Sequence, residues 1–304
     1  MTTITLDGVS FPLRAPHDVS WLSEMGRVFA VFAENDSGNI SFGVDNGTER
    51  YFVKAAGLPT VTSCRTQTEA VSALRDAMRV YEDIRHPNLI RLISHAAHGE
   101  LYYAVFSWAE GACLFDHWNF DTYAAHPEIL PPKRRFHELP TAEKLRAAEV
   151  LFSFLEAVSD AGYTTVDFYD GSLMYDFRHK HLTVCDIDLF RRMPAYNDLG
   201  ADFFGTKRLK APEEYRLNAV LDTRTDVFTL GALLFDTFFG NFTENEVRRR
   251  YENNAFLPCS FSPENWELNR AAYDVACRAV SPDRENRFSS IGDFHAAWEN
   301  AVNR

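Results

Sequence analysis

The rhythm of apolar and polar positions along the chain changes near residue 111 of its 304. Before that point, short runs rich in β-branched and aromatic residues predict strands over 27–32, 39–44 and 49–54. The text between them, Glu34-Asn35-Asp36-Ser37-Gly38 and Asp45-Asn46-Gly47-Thr48, is turn chemistry, and Asn-Gly is a strong hairpin signal. Apolar residues Val71, Leu74, Met78 and Tyr81 recur at helical spacing and predict a helix over 68–85. His86-Pro87-Asn88 ends it, because the residue before a proline is driven out of helical backbone. Residues 89–94 and 101–106 read as two further strands. After Gly111 the pattern becomes helical, with an amphipathic run over 142–161, a strongly apolar one over 224–239, and two more over 269–280 and 291–302. Residues 1–24 read as an N-terminal extension, and 117–141, with Pro127, Pro131, Pro132, Phe136 and Pro140, as an irregular insertion. A strand-rich half followed by a helix-rich half predicts an α+β fold of two lobes.

Composition adds a folded core and removes several partners. The chain is 46% hydrophobic with 25 phenylalanines, which suits a globule rather than a disordered tail. Its net charge of −12, from 31 basic and 43 acidic side chains, argues against a general nucleic-acid or anionic-membrane binder, which needs a basic stripe. The basic runs Lys133-Arg134-Arg135 and Arg248-Arg249-Arg250 read as solvated faces. The five cysteines, Cys64, Cys113, Cys185, Cys259 and Cys277, lack CxxC spacing, so neither a zinc site nor a disulfide framework is expected, and a reducing cytosol suits them. The first residues lack the basic and apolar regions of a signal peptide, and no apolar run reaches the roughly 18 residues of a membrane span. The expectation is a cytoplasmic protein.

The chemistry concentrates between Asp167 and Glu213. Val166-Asp167-Phe168-Tyr169-Asp170-Gly171-Ser172 and Cys185-Asp186-Ile187-Asp188 place their leading aspartates 19 residues apart, and Gly205-Thr206 then leads to Ala211-Pro212-Glu213. A carboxylate to orient a hydroxyl, another to hold magnesium, and a closing Ala-Pro-Glu resemble, in that order, the eukaryotic-like protein kinases. More narrowly, the motifs resemble a group of bacterial serine/threonine-kinase-like proteins, over residues 25–300. The resemblance implies a small strand-rich N-lobe over 25–110 and a larger helical C-lobe over 111–304.

Residue by residue, it implies that Asp167 accepts the proton of the attacking hydroxyl, and that Asp186, Asp188 and Ser172 hold magnesium. Lys54 would meet the nucleotide phosphates, partnered by Asp76, with Glu69 and Glu82 as alternatives. The turn containing Gly38 would cover those phosphates. Phe106, Ser107, Trp108 and Ala109 would form the hinge that binds adenine. Thr206 would hydrogen-bond near Asp167. Glu213 and Arg287 would form a buried ion pair, Asp226 would anchor the catalytic loop, and Asp170 reads as a loop-capping acid. The chain also departs from the pattern: Thr165-Val166 replaces His-Arg, Tyr169 replaces a lysine, Ser172 an asparagine and Asp188 a glycine. Phe52 stands on the face of Lys54 where kinases place a small alanine, and the turn before Gly38 carries two acids, Glu34 and Asp36.

The implied function is an ATP- and magnesium-dependent phosphotransferase, foremost a serine/threonine protein kinase with a nucleotide and a phosphoacceptor as partners. Phe52 and the acidic turn support an alternative, a catalytically impaired scaffold that acts through a partner protein. The second acid at Asp188 supports another, a kinase for a small molecule.

Overall fold

Asp7 and Gly8 take φ of 52° and 86°, the left-handed backbone that a two-residue hairpin loop requires. They close β1 (Thr2–Leu6) onto β2 (Val9–Leu13), with Leu6 opposite Val9. This hairpin belongs to residues 1–24, which are thus folded: Phe11, Leu13, Trp21 and Leu22 enter the same apolar core as Val28, Ile40 and Phe42. The computed structural model describes residues 1–33, 37–63, 65–243, 245–246 and 262–303. Arg248-Arg249-Arg250, Cys64, Cys259 and the two acids of the turn before Gly38 lie outside the described residues.

Two compact units divide the chain, residues 1–85 with 89–110, and 86–88 with 111–304. The first holds β3 (Arg27–Phe32), β4 (Asn39–Asp45), β5 (Arg50–Ala56), α1 (Gln67–Asp83), β6 (Leu92–His98) and β7 (Leu101–Ser107). The five strands form one antiparallel sheet in the order β3-β4-β5-β7-β6. A capping box starts α1: Thr66 Oγ1 accepts from Glu69 N while Glu69 Oε2 accepts from Thr66 N. Ala70, Leu74, Ala77, Met78 and Tyr81 form its buried face. The strand expected from residue 89 starts at Leu92; Ile90 is buried without joining the ladder.

The second unit is mainly helical. It contains β8 (Ala112–Cys113), α2 (Phe120–Ala125), α3 (Pro132–His137), α4 (Thr141–Asp160) and β9 (Tyr163–Thr164). There follow β10 (Leu173–Asp176), β11 (His181–Val184), β12 (Arg191–Arg192), β13 (Ala195–Tyr196) and β14 (Val220–Leu221). After them come α5 (Thr223–Leu233), α6 (Arg270–Ala279) and α7 (Ile291–Val302). The apolar run expected as one helix over 224–239 splits: α5 passes into a π-helical turn, Leu234–Phe239, buried along its length. The stretch 117–141 is more ordered than expected, because it contains α2 and α3. Phe136 of α3 is fully buried, with Tyr175 and Phe238 each 5.0 Å away between ring centres. Helices of six residues are too short to impose a readable period, which is why the sequence presents this stretch as irregular.

Candidate active site

Asp226, in the first turn of α5, fixes the segment that carries Asp167. Its Oδ1 accepts from Thr165 N at 2.8 Å, Thr165 Oγ1 at 2.7 Å and Thr164 Oγ1 at 2.9 Å. Complete burial pushes its carboxyl up to about 7, and the three donors act in the opposite sense. Pairing of β9 with β12 holds the same segment from its other side. Asp167 follows, half-buried, at φ 57°, a left-handed backbone that aspartate tolerates better than most residues.

A β-hairpin accounts for the 19-residue gap between the two aspartates. β10 and β11 pair Leu173 with Val184, and one step further Cys185 N donates to Ser172 O at 2.9 Å. Asp186 comes next, exposed and also left-handed at φ 52°, above a fully buried Ile187. Burial raises the Tyr169 phenol, and the charges of Asp167 and then Asp186 push it the same way. Ser172 Oγ is buried with no hydrogen-bond partner. That orphaned oxygen, the exposed Asp186 and the half-buried Asp188 are hard-oxygen donors, the ligand type that magnesium prefers.

Thr206 and Asp167 meet at a cavity of about 10 Å³, also lined by Thr165, Phe168, Lys210, Glu214 and Thr229. Gly205 takes φ 114°, a conformation that L side chains rarely adopt, and Thr206 O then accepts from Leu209 N and Lys210 N. Complete burial pushes the Glu214 carboxyl up to about 8, although its Oε2 accepts from Ala211 N at 2.6 Å. This raised value makes stability pH-dependent. The contribution of neutral Glu214 is complete below its unfolded value of 4.5 and is lost as pH rises through about 8. Glu214→Gln keeps an acceptor for Ala211 and cannot ionise. Its melting temperature should therefore fall less than wild type between about pH 5 and about pH 8. Equal slopes would mean that Glu214 is already ionised in the folded protein.

Below this cavity, Glu213 Oε1 and Oε2 accept from Arg287 Nη1 and Nη2 at 2.7 and 3.0 Å, the buried pair expected from the motif. Burial pushes the Glu213 carboxyl up, but the Arg287 guanidinium outweighs it and holds the group below its ordinary value. Asp170 is no loop cap. Fully buried, it accepts from Arg208 Nη2 at 2.6 Å and Lys133 Nζ at 2.8 Å, and both cations also pair with Asp236 of the π-helical turn. Lys133 therefore leaves the solvated face expected for it, whereas Arg134 stays exposed and pairs with Glu138. Cys113 is half-buried, and its burial pushes the thiol up to about 12.

In the first unit Lys54 is buried on the central strand, between Ser41 of β4 and Ala104 of β7. Asp76 is not its partner: it lies on the exposed face of α1, opposite the face that packs on the sheet, and bonds Ser72. Glu69 and Glu82 are also engaged elsewhere, with Thr66 and His95. Phe52 is half-buried, its ring 6.0 Å from that of Phe32. Phe106 is buried against Tyr81 of α1 at 4.9 Å between ring centres. Ser107 N and Trp108 N donate to Arg91 O and Arg50 O, so two of the four expected hinge amides are engaged within the protein. A Cβ on Gly38 would meet Ser63 and Ala70 at 3.0 and 3.1 Å, so its bare face is turned to the start of α1. Lys210 and Glu214 are the site residues that sequence reasoning overlooked. Their one hint is opposite charge at a spacing of four residues.

No protein-family model matches the chain. It is 26% identical over 246 residues to the probable serine/threonine-protein kinase PBL28 of Arabidopsis thaliana, covering 78% of this chain. The chain spans 61% of that plant protein's length. Among solved structures, the Cydia pomonella granulovirus kinase PK-1 matches with a TM-score of 0.64 at 17% identity, over 92% of this chain and 97% of the viral one. The chain has a protein-kinase-like α+β fold, with a strand-rich N-terminal sheet and a helical C-terminal part. No helix of the described residues is long and apolar enough to cross a membrane.

Proposed function

We propose that the chain is an ATP- and magnesium-dependent phosphotransferase of the serine/threonine protein-kinase class. The observation that carries this reading is the β10–β11 hairpin, which sets Ser172 and Asp186 beside the Asp167 loop, with Asp167 on the wall of a polar cavity. Asp167 would take the proton of the acceptor hydroxyl. Asp186, Asp188 and the orphaned Ser172 Oγ would hold magnesium, which when bound neutralises phosphate charge. Lys54 would meet phosphate oxygens by charge-assisted hydrogen bonds, and the Ala109 amide would meet the base. The plant relative supports a protein as phosphoacceptor.

A second reading, a scaffold with weak nucleotide binding, is favoured by Phe52, whose ring stands half-buried on the strand that carries Lys54. Thermal unfolding with ATP, with and without magnesium, separates the two. A ligand at a hundredfold excess over Kd adds about 2.7 kcal/mol of stability to the state it binds. The kinase reading expects a magnesium-dependent rise in wild type that is lost in Asp186→Asn, a change that keeps the left-handed backbone. No rise at millimolar ATP would favour the scaffold.

A further inference from the structure

The cavity beside Asp167 is bounded by a buried cation that the reading above does not use. Lys210 is 5% exposed, and among the described residues its ammonium makes one hydrogen bond, to Phe203 O at 2.6 Å. Its Nζ also lies 4.4 Å from the centre of the Tyr215 ring. An ammonium has three donors, so two N–H groups remain beside a cavity of about 10 Å³. That is about the room one water-sized group occupies. Two hydroxyls on the same wall have given their protons away, Thr165 to Asp226 and Thr229 to Thr225 O. The charged groups bordering the cavity are Asp167, Lys210 and Glu214. Glu214 is held neutral below about 8 by its burial, which leaves Asp167 and Lys210 as the opposed charges near neutral pH.

We propose that Lys210 is a catalytic residue: it donates a hydrogen bond to the phosphoacceptor oxygen while Asp167 receives that oxygen's proton. This rests on the phosphotransferase reading. In the step, the acceptor O–H gives its proton to the Asp167 carboxylate and the acceptor oxygen bonds to the γ-phosphorus of ATP. The bond from that phosphorus to the bridging oxygen breaks, and its electron pair leaves on ADP. Charge builds on the acceptor oxygen as its proton departs. A preorganised cation stabilises that charge without reorganising water. The size of the cavity suits one hydroxyl, and also water, so slow ATP hydrolysis should use the same pair of groups.

The proposal separates the charge of Lys210 from its packing. Burial lowers the Lys210 pKa, Glu214, Asp167 and Asp202 act to raise it, and Lys207 acts to lower it. Turnover should therefore fall on the alkaline side before an ordinary lysine would lose its proton. Lys210→Met and Lys210→Arg test this, with ADP release into water and phosphate incorporation into dephosphorylated casein as readouts. Lys210→Met should lower kcat about 10²–10³-fold, as for loss of one such donor, with KM for ATP unchanged. Lys210→Arg keeps its charge at all accessible pH, so it should recover most of the loss and abolish the alkaline limb. A Lys210→Met enzyme within about threefold of wild type would overturn the proposal and leave the phosphotransferase reading intact. Should Lys210→Met fail to fold, the Lys210→Arg profile decides, and an unchanged alkaline limb overturns the proposal. A wild type with no turnover at all would instead remove the parent reading, and this one with it.

Discussion

Asp167→Asn should lower phosphotransfer about 10²–10⁴-fold, the usual worth of a positioned general base, and leave the fold as stable as before. The structure separates these two effects. Asp167 sits at φ 57°, where most side chains would strain the backbone, and asparagine shares aspartate's tolerance of that conformation. The loop is held by Asp226, through Thr164 and Thr165, and by the β9–β12 pairing, none of which the substitution touches. In the proposed role of Asp167, what the variant loses is acceptance of the acceptor's proton, because the amide oxygen of asparagine is far less basic. Melting temperature, the ATP-dependent rise and turnover should be measured on one preparation. Stability and nucleotide binding should survive while turnover is lost. Full turnover in the variant would mean that another group takes the proton. A collapsed melting temperature would mean that Asp167 holds the loop together.

How much of this could be read beforehand depended on how locally each feature is encoded. Strand β3 and helix α7 coincide with the expected spans because local composition defines the one and apolar period the other. The pairing of Glu213 with Arg287 was legible from motif order, though 74 residues separate them. The β1–β2 hairpin was overlooked although its signal is local: Asp7-Gly8 lies between the alternating Ile4, Leu6 and Val9, Phe11. Asp76 was misjudged because reach along the chain was weighed without the helix face; Leu74, Met78 and Tyr81 point to the sheet, and Asp76 lies opposite them. Asp170 and Lys210 were illegible for a different reason. Lys133 and Arg208, the partners of Asp170, come from distant segments, and an isolated acid or lysine, Lys210 included, carries no mark of burial.

The largest loss of stability is expected from Arg208→Met. Arg208 is 3% exposed and bridges Asp170, in the segment that carries Asp167, to Asp236 of the π-helical turn, with Lys133 of α3 closing the ring. Two carboxylates and two cations neutralise one another, so the cluster costs little while it is complete. Removing the guanidinium leaves two buried carboxylates to share one ammonium, and breaking such a pair typically costs about 3–5 kcal/mol. Arg134→Ala, on the same helix, removes an exposed pair with Glu138 and should cost well under about 1 kcal/mol. Chemical unfolding followed by tryptophan fluorescence gives the measurement, since Trp266 lies 4.7 Å from Phe235 of the π-helical turn. Adding Asp236→Asn to Arg208→Met removes one of the stranded charges and should recover a large part of the loss. If the double variant is no more stable than Arg208→Met alone, the cost lies in lost packing of Arg208 over Phe115. In that case the buried charges are not what fixes the segment between Thr206 and Glu213.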